Sequence, residues 1–264
     1  MLDTLRHEAA QSLLRAYETG QPIAPLSQTY EGLDLEDAYA IQLEQVAAWT
    51  ASGKEILGHK VGLTSLAVQK QLGVNQPDFG HLTNDMFYLS GQPIPPGTFM
   101  QPRVEPEIAF VLKKSLHGPN VTVAEAVQAV DYVVASLEIV DSRIADWKIT
   151  LTDTVADNAS SGGVVLGTKP MTLTDVDLRT LGANLYKNGR LQHTGAGASV
   201  LGSPISSLVW LANTLGRLGT TLEAGEVVIP GAITPMIPAA PGDTITAVFA
   251  GLGSVTAQFA QEVK

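Results

Sequence analysis

The chain contains no cysteine. Disulfides, thiolate nucleophiles, zinc–thiolate centres and iron–sulfur clusters are therefore excluded, and the absence fits a cytoplasmic protein. Charge is scarce as well: Asp, Glu, Lys and Arg make up 16% of 264 residues, against about a quarter in ordinary soluble domains. What charge exists leans negative, with 26 acidic and 16 basic residues for a net of -10, and no run of Lys or Arg exceeds a pair. Such a surface repels nucleic acid and anionic lipid. No apolar run reaches membrane-spanning length. The most apolar one, VVIPGAITPMIPAAPG at 227–242, holds four prolines. The N-terminal MLDTLRHEAAQSLLRAY carries charge through every turn, so it lacks the apolar core of a signal peptide. With 45% hydrophobic residues the chain can bury a sizeable core, as one large domain or a core domain with a small appendage.

The first third reads as helical. Leu2, Leu5, Ala9, Leu13 and Tyr17 recur at spacings of three and four. A second amphipathic segment spans about 35–50, with Asp34 as N-cap and Ser52-Gly53 as stop. A short helix is predicted at 65–72. From about residue 80, Gly and Pro become frequent and short β-rich runs appear: EIAFVL, YVVASLEIV, GGVVLG, EVVIPG and DTITAVFAGLGSVTAQF. Several are continuously apolar, which suits strands buried on both faces. Thr122 and Glu125 form a capping box, and Pro204 opens a helix that Gly219 ends. Regular strand–helix alternation and a glycine-rich phosphate fingerprint are both missing, which argues against Rossmann and TIM-barrel folds. The division is an N-terminal helical region at 1–78 and a β-rich body at 79–264.

The stretch QPRVEPEIAFVL, 101–112, is the most informative. In extended backbone Glu105 and Glu107 point to one face, their Cα atoms about 6.5 Å apart. Pro106 offers a plain account, a solvated strand entry or edge. Glu138 changes the weighing, because it interrupts the apolar YVVASLEIVDSRI and a buried carboxylate needs a partner. That partner is Arg143 or Arg103, or a divalent cation shared with Glu105 and Glu107; three carboxylates and waters make a hard oxygen site for Mg²⁺ or Mn²⁺. Lys60 lies in GHKVGLTS, between Gly58 and Gly62, placed either on the surface or against a ligand. Asp78 lies in a turn-like Pro-Asp-Phe-Gly, where such a residue commonly bonds its own backbone. In TDTVADNASSGGVVLG, 152–167, Asp157, Asn158, Ser160 and Ser161 line a pocket or shape a loop. His59 and His81 read as surface or hydrogen-bonding residues.

Taken together, GHKVGLTS, QLGVNQPDFG, QPRVEPEIAFVL, LEIVDSRIADWK, DTVADNASSGGVVLG and GLGSV resemble the 2-keto-4-pentenoate hydratase family, which includes the 4-oxalocrotonate decarboxylases and belongs to the fumarylacetoacetase-like superfamily. The resemblance runs from about Gln21 to Phe259. It implies an α+β fold, a mixed β-roll or sandwich body with a small N-terminal helical region. It implies Mg²⁺ or Mn²⁺ held by Glu105, Glu107 and Glu138, catalysis by Lys60 and Asp78, and Ser160 as a substrate-binding residue. The expected reaction is metal-dependent hydration of 2-hydroxypenta-2,4-dienoate to 4-hydroxy-2-oxopentanoate in aromatic meta-cleavage catabolism. The alternatives are 4-oxalocrotonate decarboxylation, or hydration of a longer 2-oxo-enedioate. Asp78 favours the hydratase, since that position is usually apolar in the decarboxylases. The superfamily's Thr-Gly-Thr-Pro turn reads IPGAITPM here, so no substrate-binding role passes to Thr234. The resemblance also implies a cytoplasmic homo-oligomer acting on a small molecule, with neighbouring pathway enzymes as expected partners and neither nucleic acid nor membrane among them.

Overall fold

The computed structural model describes residues 2–262. The chain begins with helices α1 (Asp3–Thr19), α2 (Leu26–Thr29) and α3 (Leu35–Ala51). Asp34 caps α3 through a reciprocal box with Asp37, and α1 ends on Gly20 in the left-handed conformation. There follow β1 (Ile56–Gly62), α4 (Leu66–Leu72), β2 (Asp78–Thr83), β3 (Phe87–Leu89), β4 (Pro93–Ile94), β5 (Arg103–Leu112), α5 (Val123–Ala129) and β6 (Val130–Val140). The rest comprises α6 (Leu151–Ala156), β7 (Ser161–Leu166), β8 (Gly182–Lys187), β9 (Arg190–Ala196), α7 (Pro204–Arg217), β10 (Val227–Ile229), β11 (Ile237–Pro238), β12 (Thr244–Phe249) and β13 (Gly253–Phe259).

One mixed sheet has the order β2-β1-β10-β5-β6-β7-β3, with β11 also on β5; a second runs β4-β13-β12-β8-β9. The architecture is α+β, with helices against a mixed sheet body. The sheet takes in β1, which lies inside the stretch read as helical at 1–78. It pairs parallel to β10 and antiparallel to β2, contacts distant in sequence that a short run such as ILGHKVG cannot advertise. Likewise β9 and α6 went unread from the sequence: the first is polar and largely exposed, the second six residues long.

Alternation along the long β5–β6 pair creates two faces. Val104, Ile108 and Phe110 of β5, with Val133, Leu137 and Ile139 of β6, enter the main core beneath the second sheet and α7. The opposite face carries Ala109, Val134 and Val164 at one end, in a smaller apolar cluster, and acidic residues at the other. Both faces are thus covered, which is why these strands read as nearly unbroken apolar runs. Pro106 sits within β5 rather than at an edge or entry. Residues 103–104 pair with β11 and 110–111 with β10, leaving a gap between. Across that gap the Pro106 carbonyl accepts from the Ile233 N–H at 2.9 Å. In an antiparallel ladder a residue's N–H and C=O face the same neighbour, so the missing donor falls where no strand requires it.

A third apolar cluster unites α1, α3 and α6, with Leu13, Ile41 and Val155 at its centre. Tyr39 of α3 stacks on Phe79 of β2, ring centroids 4.7 Å apart. Gln42 donates to the carbonyls of Phe79 and Val155. The helical layer is therefore bonded to the strand that begins with Asp78.

Candidate active site

The register of the central strands assembles the site. Glu105 of β5 and Glu138 of β6 stand directly opposite one another, and Glu107 opposes Ser136. One oxygen from each of Glu105, Glu107 and Glu138 lies within 4.8 Å of the others. Glu107 and Glu138 are fully buried and Glu105 is half-buried. Glu107 Oε2 accepts from the Gly231 N–H at 2.7 Å. Gly231 has φ 126°, and a side chain there would collide with Thr64, so this donor depends on glycine. Glu107 Oε1 and Glu138 Oε2 have no hydrogen-bond partner, and Glu138 Oε1 has only the ion pair described below. Burial first, then repulsion from Glu138, pushes the Glu105 carboxyl up to about 8 and the Glu107 carboxyl well above its usual range. Orphaned carboxylate oxygens converging on one point, without sulfur or imidazole, match the donor set of a hard divalent cation.

The partner of Glu138 is Lys60, not Arg143 or Arg103. Lys60 Nζ lies 3.1 Å from Glu138 Oε1 and donates to the Ala159 carbonyl at 2.9 Å. Lys60 is buried rather than a surface lysine. Burial alone would lower its pKa, but Glu138, Asp78, Glu105 and Glu107 together outweigh that and raise it. Asp78 opens β2 opposite Gly62 instead of sitting in a turn. A side chain at 62 would overlap the Asp78 carboxylate and crowd Lys60 Nζ, so Gly62 makes the room both need. Asp78 Oδ1 has no hydrogen-bond partner, so Asp78 and Lys60 are close but not a hydrogen-bonded pair. Burial pushes the Asp78 carboxyl up to about 6 against the pull of Lys60.

The Ala159 carbonyl reaches Lys60 because Asn158, Ala159 and Ser160 form a left-handed turn, with φ 51°, 50° and 53°. Non-glycine residues rarely adopt this conformation, and here it is pinned from both sides. The Asn158 amide brackets His81, accepting from its N–H at 2.8 Å and donating to its carbonyl at 2.9 Å, while Ser161 Oγ donates to the Asn158 carbonyl at 2.7 Å. Asp157 is consumed by Arg143, Ser142 and the Arg143 N–H. Asp157, Asn158 and Ser161 therefore shape the loop. Ser160 lines the cavity, its Oγ 3.1 Å from Thr154 Oγ1. His59 and His81 are buried on the opposite face of β1–β2, ring centroids 5.0 Å apart, so neither is a surface residue.

Lys60, Asp78, Glu105 and Ser160 open onto one cavity of about 690 Å³. Its other walls include Leu63, Val74, Ile149, Leu151 and Met236, together with Arg103 and Trp147. Leu63, Val74, Arg103 and Trp147 lie within the motifs that carry the family resemblance, but nothing in those motifs marks them individually as cavity walls. The arrangement offers a cation site, a buried ammonium, a carboxylic acid titrating near neutrality and an apolar end.

Comparison with known proteins adds the following. A family model described as fumarylacetoacetate (FAA) hydrolase C-terminal matches residues 56–260. A 2-keto-4-pentenoate hydratase of Paraburkholderia xenovorans is 49% identical over 254 residues, covering 96% of this chain and 94% of that protein. A 2-hydroxyhexa-2,4-dienoate hydratase of Comamonas testosteroni is 43% identical, covering 95% and 96%. Among solved structures, the 4-oxalocrotonate decarboxylase of Pseudomonas putida G7, complexed with magnesium and adipate, superposes with a TM-score of 0.94 at 37% identity, covering 98% of each chain. No described helix is long and apolar enough to cross a membrane.

Proposed function

Because the chain belongs to the fumarylacetoacetate (FAA) hydrolase C-terminal family, we propose that it is a metal-dependent hydratase of 2-hydroxypenta-2,4-dienoate, or 2-keto-4-pentenoate. The product is 4-hydroxy-2-oxopentanoate, and the setting is the meta-cleavage catabolism of aromatic compounds. The observation that carries the reading is that Lys60, Asp78 and Glu105 line one cavity, with Glu107 and Glu138 clustered on Glu105 behind its wall. The three glutamates would hold Mg²⁺ or Mn²⁺, which supplies Lewis acidity toward the C1 carboxylate and C2 oxygen of the substrate.

The chain's own groups handle protons. Net hydration places hydroxyl on C4 and hydrogen on carbon, so one proton must leave water and others must move between oxygen and carbon. Lys60 is protonated at neutral pH and anchored at two points, so it donates and stabilises negative charge. Asp78, at about 6, is ionised near neutrality yet close enough to working pH to exchange a proton, as a general base should be. Ser160 contributes a hydroxyl to the wall that receives the substrate.

Decarboxylation of 4-oxalocrotonate is the second reading, favoured by the 0.94 TM-score with such an enzyme. Two observations support hydration over it: relatives at 43–49% identity bear hydratase names, and a carboxylate, Asp78, faces the cavity. The enzyme is further proposed to be a cytoplasmic homo-oligomer, to be checked by light scattering. Incubation with 2-hydroxypenta-2,4-dienoate and with 2-oxohex-3-enedioate, each with and without Mg²⁺, tests the reaction. The expected result is metal-dependent 4-hydroxy-2-oxopentanoate without CO₂. Faster CO₂ release from the dicarboxylate would hand the assignment to the decarboxylase.

A further inference from the structure

Two cationic side chains line the cavity, and they differ in one respect. Lys60 has partners inside the protein, Glu138 and the Ala159 carbonyl. Arg103 has none: among the described residues its guanidinium makes no hydrogen bond and no ion pair. Two acids near it are occupied elsewhere, and Glu105, on the same strand face, belongs to the cluster with Glu107 and Glu138. Asp146, on the same cavity wall, pairs with Lys148 at 2.9 Å. Asp141 accepts the N–H groups of Met100 and Gln101.

Arg103 precedes Glu105 by two residues on β5, so its side chain leaves the same face, about 6.5 Å further along the strand. Its guanidinium carbon lies 4.3 Å from the centroid of the Trp147 ring. Trp147 is itself held in place. Its Nε1–H donates to the Gln101 carbonyl at 3.0 Å, and it follows Asp146 in a pair of left-handed residues, φ 60° and 55°. An aromatic plane under a guanidinium fixes the direction of its donor fork while leaving the N–H edges free. Such a fork matches a carboxylate in bidentate fashion.

We infer that Arg103, laid on Trp147, docks a carboxylate of the substrate at the cavity, while Leu63, Val74, Ile149 and Met236 receive its hydrocarbon part. The inference rests on the 2-hydroxydienoate reading of the site and adds a substrate-binding residue to it. The carboxylate is either C1 or, in a dicarboxylate, the distal group.

The test uses the Mg²⁺-loaded protein, the Arg103→Met and Arg103→Lys variants, and three unreactive probes followed by calorimetry: 2-oxopentanoate, 2-oxohexanedioate and the uncharged pentane-2,3-dione. Arg103→Met is expected to weaken 2-oxopentanoate about 10- to 100-fold, the range for a hydrogen-bonded charge, and to leave the dione unchanged. Arg103→Lys should fall between, since it keeps the charge and loses the fork. In turnover, KM should rise by a similar factor with kcat little changed. Weakening confined to 2-oxohexanedioate also upholds the inference and places the docked group at the distal end. The inference is overturned if neither acid loses more than threefold, or if the dione weakens as much as the acids. Should Arg103→Met not fold, the lysine variant decides by the same criteria. Wild-type hydration of the dienoate with no role for Arg103 sinks this inference alone, whereas Arg103-dependent binding without hydration sinks the hydratase reading alone.

Discussion

Two buried acidic constellations lie on the same sheet body and have opposite characters. Asp157 is satisfied on every side. It accepts from Arg143 Nε, the Arg143 N–H and Ser142 Oγ, while Arg143 Nη1 and Nη2 donate to the carbonyls of Ser161 and Asp157. The Tyr17 ring covers the guanidinium at 4.3 Å. The Glu105–Glu107–Glu138 cluster has one buried ammonium and one backbone N–H for three carboxyls, and it opens onto a cavity. A buried charge that finds its complement within the chain is a structural joint. One that does not must take up a proton or bind something from outside. The difference separates architecture from site without reference to any relative.

The largest expected effect breaks the open cluster. Glu107→Gln should lower hydration by about 10³-fold or more, the several kcal/mol that a Lewis acid supplies, with an unchanged far-UV spectrum. Mg²⁺ at a hundred times its dissociation constant should stabilise the wild type by about 2.7 kcal/mol and the variant hardly at all, as read from urea melts. Retained activity together with retained Mg²⁺ stabilisation in Glu107→Gln would remove the metal site.

Asp157→Asn breaks the closed joint instead. It leaves Arg143 buried without its counter-charge, so a loss of about 3–5 kcal/mol of stability is expected, with Mg²⁺ still raising the urea midpoint. If stability stayed within about 1 kcal/mol while turnover vanished, Asp157 would belong to the site and the contrast would collapse.

Asp78→Asn sharpens the open side. Hydration should drop about a hundredfold or more, the usual range for an acid–base residue, while Mg²⁺ stabilisation stays as in the wild type. Full hydratase activity in this variant would leave Asp78 without a catalytic role.

An effect confined to acid pH concerns His81, across β2 from the cavity. Burial, with His59 adding, depresses its pKa to about 3 from 6.5. The unfolded chain therefore takes the proton first, so this contribution to stability is whole above about pH 6.5 and is lost as pH falls toward 3. Urea melts across that window should show a shallower acid loss for His81→Leu than for the wild type. Equal slopes would mean that His81 is not held neutral.

Much of this was legible beforehand because the signals are local. Asp34 and Thr122 cap helices within three residues of themselves. Pro204 opens α7 because its fixed φ suits a first turn. Glu105 and Glu107 share a face because strand side chains alternate. Other features resisted because they depend on register between distant strands. Asp78 reads as a turn residue until β1 pairs with β2 and sets it opposite Gly62. Pro106 reads as an edge until the gap between β10 and β11 is seen.

By itself, then, the sequence determined the chemistry in stock: carboxylates without cysteine, a lysine between glycines, apolar strands too continuous to be half-exposed, and motifs whose resemblance names a family. Only the tertiary structure decided who is paired with whom. It assigned Lys60 to Glu138 and Arg143 to Asp157, and it left Arg103 on Trp147 with its donors free. The reason is physical. The identity and spacing of side chains are written along one dimension, whereas the balance of a buried charge is struck among groups that meet only when β1, β5, β6 and the turn at 158–160 close around the same few ångströms.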